Sequence, residues 1–264
     1  MKTRRFMSER MPDAIAIIPA RYGSTRFPGK PLAMVNGVMM VERVYRSARE
    51  ALGRAVVATD DERIFDAVRG FGGEAVMTSL SCQNGTARVA EAYRLLGCSE
   101  SIVVNVQGDE PYVQPQQIKD VAGVLERMPE ADISTLALKF DPREGFESLF
   151  DPNRVKMVRD RDGRALYFSR SIVPYVRDVP WQQWIEVATF HIHVGMYGFR
   201  GDVLGRIEHL PPSPLDKAEN LEQLRWLYEG YRIYTAETSV RTYPVDTPQD
   251  LEKAEERART EREI

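Results

Sequence analysis

Ser101-Ile102-Val103-Val104-Asn105-Val106-Gln107-Gly108-Asp109-Glu110-Pro111 is the stretch on which the fold turns. Four of its first six residues are Val or Ile, with no apolar–polar alternation. A strand of that kind is covered on both faces, which is the habit of a parallel sheet flanked by helices. Gly108 then lets the chain turn and Pro111 stops the strand. In open parallel sheets ligands bind beyond the carboxyl ends of the strands. Asp109 and Glu110 stand at that place.

Outward from this strand the grammar repeats. Upstream, Ala14 to Ile18 is a short apolar run bounded by Pro12 and Pro19, and Val38 to Leu52 has helical spacing. Ala55 to Ala58 reads as a second buried strand and Asp61 to Val68 as a helix with acids in its first turn. Ala75 to Met77 is a short strand and Thr86 to Leu96 a helix. Downstream, Pro115 to Leu125 is a helix with Pro at its start. Strand and helix in alternation mean βαβ units with right-handed crossovers.

After about Phe140 the pattern changes. Val155–Val158 and Ala165–Phe168 flank Asp160-Arg161-Asp162-Gly163, which predicts a hairpin. His193 to Phe199 alternates like a strand, Leu215 to Tyr228 predicts one amphipathic helix, Arg232 to Ala236 a strand, and Pro248 to Arg259 a terminal helix. The expected organisation is a leader over residues 1–13, then one α/β domain over residues 14–260 with an inserted β region at about 150–200.

Bulk properties exclude several classes. A formal net charge of −3 gives no general attraction to nucleic acid. No run reaches the roughly 18 apolar residues of a membrane span. Cys82 and Cys98 make neither a disulfide framework nor a metal knuckle, so a reducing, cytoplasmic setting is expected. The basic N-terminus lacks the apolar segment of a signal peptide.

Three loops carry candidate chemistry. The first, Ala20 to Pro31, holds Arg21, Arg26 and Lys30 with Gly23, Ser24, Thr25 and Gly29. Glycines let backbone approach a polyphosphate and the cations offset its charge; a solvated basic loop is the alternative. Pro31 stands where a P-loop needs Ser or Thr, and no G-x-G-x-x-G follows a strand. The second is Gln107 to Pro111, where Asp109 suits Mg²⁺, which favours one or two carboxylates plus phosphate oxygens. Its alternative is a helix cap. The third, Tyr243 to Asp250, taken alone reads as an ordinary helix start at Asp246 or Thr247. His191 and His193 share one strand face, but no acid or cysteine completes a metal site.

Taken together these loops resemble one family. Ile17 to Pro31, Val57-Ala58-Thr59-Asp60, Asn84-Gly85-Thr86-Ala87-Arg88 and Asn105 to Pro111 are similar to segments of 3-deoxy-manno-octulosonate (Kdo) cytidylyltransferases. So are Ala165-Leu166-Tyr167-Phe168-Ser169-Arg170, His193 to Tyr197, Leu221-Glu222-Gln223-Leu224-Arg225 and Val245-Asp246-Thr247-Pro248. The resemblance runs in order from about Ile15 to Glu255. It implies a Rossmann-like, glycosyltransferase-A-like nucleotidyltransferase fold with a mostly parallel sheet, and a homodimer formed through the β region.

The resemblance also implies the reaction and the roles. CTP and Kdo give CMP-Kdo and pyrophosphate, with Mg²⁺ as cofactor. Arg21, Lys30 and Asp109 would be catalytic, and Asp109 and Asp246 would hold the metal. Ala20, Arg21, Gly23, Ser24, Arg26, Lys30, Thr59, Asp60, Gly85, Thr86, Arg88 and Gln107 would bind the nucleotide. Gln107, Arg170, His193, Glu222 and Gln223 would bind the sugar, Arg170 through its carboxylate. The chain departs from the family pattern at Asn84, Ala87, Ile192 and Pro244. An altered acidic sugar (8-amino-Kdo or a sialic acid) is therefore the alternative substrate, and a catalytically silent CTP-binding protein a further alternative.

Overall fold

The computed structural model describes residues 13–23 and 26–260. Apart from Asp13, the expected leader lies outside the described residues, as do Ser24 and Thr25. In chain order the first half comprises β1 (Ala14–Ala20), the small hairpin β2 (Met34–Val35) and β3 (Val38–Met39), α1 (Met40–Leu52), β4 (Ala55–Thr59), α2 (Glu62–Gly70), β5 (Ala75–Met77), α3 (Gly85–Leu95), β6 (Ile102–Asn105) and α4 (Pro115–Arg127). The second half comprises β7 (Ile133–Lys139), β8 (Lys156–Arg159), β9 (Ala165–Ser169), α5 (Trp184–Val187), β10 (His191–Arg200), α6 (Gly201–Ile207), α7 (Pro214–Glu219), α8 (Glu222–Tyr228), β11 (Ile233–Thr238) and α9 (Pro248–Thr260).

One mixed sheet runs β11-β7-β10-β6-β1-β4-β5, with the β8–β9 hairpin joined to it through β10. β1 lies between β4 and β6, parallel to both. β10 is antiparallel to β6 and β7 on either side, whereas β11 is parallel to β7. The expected mostly parallel α/β fold is therefore present, with one long antiparallel strand inserted. β1 shows why its sequence is apolar throughout: Ile15 and Ile17 face one core with Val103, Val203 and Leu224, while Ala16 and Ile18 face the other with Val44, Val104 and Ile118. The four β1 residues are 0% exposed, so no polar residue could alternate with them.

Two features differ from the sequence reading. The helix expected over Leu215–Tyr228 is two helices, α7 and α8, parted at Asn220, which adopts the left-handed conformation at φ 50° and ψ 52°. Asn tolerates that region better than other non-glycine residues because its short side chain bonds locally. Leu221 follows in an extended conformation, so α8 makes a fresh start with Glu222 in its first turn. The strand β7 has no counterpart in the reading. Its apolar run is interrupted by Ser134 and Thr135, which are fully buried. Both hydroxyls are satisfied by backbone carbonyls, Ser134 on Val121 at 2.8 Å and Thr135 on Met196 at 2.7 Å, which removes the cost of burying them.

Among the described residues no helix is long and apolar enough to cross a membrane.

Candidate active site

The loops beyond β1, β4 and β6 converge at the carboxyl edge of the sheet, as strand order requires. Two glycines make the approach possible. At Gly108 an added Cβ would lie 2.9 Å from the Pro19 carbonyl oxygen, so only glycine lets the two loops touch. Gly29 has φ +72°, and a Cβ there would lie 3.1 Å from the Tyr22 ring. It turns the chain so that Lys30 enters the cleft.

Lys30 is the hub. Its Nζ donates to Asp109 Oδ2 at 2.8 Å and to Asp246 Oδ1 at 3.1 Å. Arg26 approaches the other Asp246 oxygen at 3.2 Å. Burial disfavours the Lys30 ammonium, but the two carboxylates more than offset this and raise its pKa above the ordinary lysine value, so it stays charged. The chain before Asp246 is laid along the second loop by a bond from Val245 N to Asp109 O, 2.9 Å.

The helix-cap alternatives for these two acids do not apply. The residue capping α4 is Gln114, in a capping box with Gln117. At α9, Thr247 Oγ1 accepts from Asp250 N and Asp250 returns a carboxylate to Thr247. Asp109 and Asp246 are thereby left to face Lys30.

The cleft has a volume of about 390 Å³. Of the expected nucleotide and metal residues, Ala20, Arg21, Arg26 and Lys30 line it, as do Gly85, Arg88, Gln107, Asp109 and Asp246. Behind them, Arg88 is 4% exposed. It is clamped by Asp60 Oδ2 at 2.5 Å and Thr78 Oγ1 at 2.6 Å. Thr59 supports the clamp from beneath, its carbonyl accepting from Thr78 N at 2.8 Å. Thr59 and Asp60 therefore hold Arg88 instead of lining the cleft. Gly23 sits in the first loop without lining it, and Ser24 lies outside the described residues. Two lining residues were missed by sequence reading, Cys82 and Gln83. No motif marks them. The Cys82 thiol donates to Glu91 at 2.8 Å, and desolvation first, then Glu91, push its pKa up to about 11.

The expected sugar residues are more dispersed. Gln107 reaches the cleft and donates to Asn105 Oδ1 at 3.3 Å. Glu222 accepts from Asn84 Nδ2 at 2.9 Å and from Thr86 Oγ1 at 2.7 Å. Gln223, beside it on α8, is 4% exposed. His193 Nε2 is 2.9 Å from Thr135 Oγ1, and its ring packs on Phe168 and Tyr197. Desolvation depresses its pKa to about 3, so the imidazole is neutral at working pH. Arg170 does not line this cleft. Its guanidinium donates to the carbonyls of Glu219, Pro152 and Asn220 at 2.6, 2.8 and 3.1 Å. It borders a separate aromatic cleft of about 810 Å³ with Phe150, Tyr175, Trp181 and Trp184. Those aromatics stack mainly on one another and on Phe146.

Asp109 and Asp246 share one ammonium, so they form an oxygen-donor pair that a cation satisfies. That chemistry fits Mg²⁺, which takes one or two carboxylates and completes its shell with phosphate and water. Among the described residues no three His, Cys, Asp or Glu groups cluster to hold an ion without such help.

Beside Asp109 lies Glu110, whose Oε2 is buried and has no hydrogen-bond partner among the described residues. Burial, with a smaller contribution from Asp109, pushes its pKa up to about 8. A raised carboxyl stabilises the fold while protonated. That contribution is full below the unfolded value of 4.5 and is lost as pH rises through about 8. In metal-free protein, urea unfolding across this range is expected to show a fall in stability toward pH 8 that Glu110→Gln flattens. Parallel pH profiles for the two proteins would contradict the assignment.

The cytidylyltransferase family model matches residues 15–233. The 3-deoxy-manno-octulosonate cytidylyltransferase of Porphyromonas gingivalis is 51% identical over 242 residues, covering 92% of this chain and 95% of that protein. Its namesake in Parabacteroides distasonis is 48% identical over 241 residues, covering 91% and 96%. Among solved structures, CMP:2-keto-3-deoxy-manno-octonic acid synthetase complexed with CTP superposes with a TM-score of 0.86 at 39% identity, covering 94% of this chain and 99% of that one. The chain belongs to the cytidylyltransferase family, and within it to the 3-deoxy-manno-octulosonate cytidylyltransferases.

Proposed function

We propose that this protein transfers CMP from CTP to the anomeric hydroxyl of Kdo, releasing pyrophosphate and giving CMP-Kdo for lipopolysaccharide synthesis. The observation that carries the reading is the single cleft in which Arg21, Arg26 and Lys30 face Asp109 and Asp246. Its support is the membership of the family and the likeness to a relative solved with CTP.

In this reading the sugar hydroxyl attacks the α-phosphorus. One P–O bond forms to the sugar, the α–β bridging P–O bond breaks, pyrophosphate leaves and the hydroxyl proton is released. Such a transfer asks for positioning and charge stabilisation above all. Arg21, Arg26 and Lys30 hold the triphosphate and neutralise charge on the leaving group. Arg88, fixed by Asp60 and Thr78, presents an immobile guanidinium to the nucleotide. Asp109 and Asp246 would hold Mg²⁺, which when bound polarises the phosphoryl group and orients the nucleophile. His193, neutral and hydrogen-bonded to Thr135, offers a sugar contact that carries no charge. The protein acts in the cytoplasm as a homodimer joined through the β region at about 150–200.

The test is pyrophosphate release with CTP, Mg²⁺ and Kdo, each omitted in turn, followed by kcat/KM for Kdo, 8-amino-Kdo and a sialic acid. Release that needs all three reagents and prefers Kdo supports the reading. Release with 8-amino-Kdo alone would keep the chemistry and replace the sugar; CTP binding without release from any sugar would leave a silent binder.

A further inference from the structure

Asn84 makes two contacts with two different atoms. Its Oδ1 accepts from Ala87 N at 2.8 Å, which caps α3. Its Nδ2 donates to Glu222 Oε1 at 2.9 Å, across 138 residues of chain. Thr86 donates its hydroxyl to the other oxygen, Glu222 Oε2, at 2.7 Å. The Glu222 carboxylate is thus gripped on both oxygens from one short segment, and a carboxylate oxygen can accept more than one hydrogen bond. Asn84 and Gly85 also line the cleft. The break at Asn220 starts α8 afresh at Glu222, which sets this carboxylate against the N-terminus of α3.

Asparagine is well suited to this double duty. Serine or aspartate caps a helix about as well. Serine has a single oxygen, which cannot stand at both the cap and the Glu222 contact. Aspartate has no donor to offer and would place a second negative charge against the first.

We propose that Asn84 is a positioning residue for sugar selection: with Thr86 it fixes the Glu222 carboxylate at the rim of the cleft as an acceptor for a hydroxyl of the acidic sugar. This rests on the reading of the chain as a sugar cytidylyltransferase. The nucleotide side of the cleft, held by Lys30 and Arg88, does not depend on the grip. A change at Asn84 that spares the cap therefore weakens one substrate and not the other.

Four proteins decide the matter: the parent, Asn84→Ser, Glu222→Gln and the double variant, with Asn84→Ala as a cap control. Asn84→Ser is expected to raise KM for Kdo about tenfold, the scale of one lost hydrogen bond to a charged group, and to leave KM for CTP within about twofold. Asn84→Ala is expected to show the same sugar effect and also to melt about 2–4 °C lower, from the lost cap. Adding Asn84→Ser to Glu222→Gln should change KM for Kdo little further. An unchanged sugar KM in Asn84→Ser, or equal rises in both KM values, would overturn the proposal and leave Asn84 a helix cap alone. If the parent itself released no pyrophosphate from CTP and Kdo, the proposed function would fail separately. Urea unfolding of the same four proteins would then still judge the grip, since additive effects of the two substitutions would refute it.

Discussion

Asp109→Ala is expected to lower kcat/KM by about three orders of magnitude or more, because it removes one of two carboxylates proposed to hold the metal. The loss should fall on turnover and not on folding. The Asp109 side chain is 30% exposed, and Lys30 keeps Asp246 as a partner when it is gone. The backbone bond from Val245 N to Asp109 O does not involve the carboxylate and survives. Steady-state pyrophosphate release beside a melting curve checks both halves. Activity near that of the parent would remove Asp109 from the chemistry altogether.

Lys30→Ala is expected to cost about 10²–10³ in kcat/KM for CTP, the scale found when one preorganised charge-stabilising donor is removed. Its second effect has a different origin. Without the ammonium, Asp109 and Asp246 lose their shared partner, and the Arg26 that still pairs with Asp246 is 65% exposed and solvent-screened. The ligand-free variant should therefore be less stable than the parent, and added Mg²⁺ should recover more stability in the variant than in the parent, since an uncompensated acid pair binds the cation that replaces its lysine. Thermal melts with and without Mg²⁺ measure this. Equal Mg²⁺ responses would mean that the two carboxylates do not act as a pair.

The parts of the fold legible in the sequence are those where burial is complete. Ala14–Ile18, Ala55–Ala58 and Ile102–Val106 are apolar on every residue that must be, so each strand announced itself. The strand over Ile133–Lys139 did not, because Ser134 and Thr135 satisfy their hydroxyls on carbonyls that lie far away in sequence. Nor could a sequence show that Asn220 would break one helix into two, since an asparagine on an amphipathic pattern is compatible with either outcome. Sheet order is a tertiary property, and the antiparallel insertion of His191–Arg200 between β6 and β7 leaves no local trace.

The site divides in the same way. Asp109 stands just past one buried strand and Lys30 in the basic loop that follows another, where charge has little structural use, and this marks them. Asp246 was ambiguous next to Thr247 and Pro248, because either residue can start a helix; only the cap made by Thr247 and Asp250 releases it. Arg88 was expected at the nucleotide, but its support by Asp60 and Thr78 depends on the fold. Glu222 was expected at the sugar by resemblance, whereas its grip by Asn84 and Thr86 joins segments 138 and 136 residues apart. Arg170 is the reverse case, a residue picked out by its motif that the fold commits to three backbone carbonyls.

CMP transfer to Kdo is tested most directly by phosphorus NMR of the purified protein with CTP, Mg²⁺ and Kdo. The three CTP resonances are expected to decline together while a phosphodiester signal of CMP-Kdo and a pyrophosphate signal grow in equal molar amounts, and Asp109→Ala is expected to show neither. CTP left intact, or free CMP formed at the same rate whether or not Kdo is present, would contradict it.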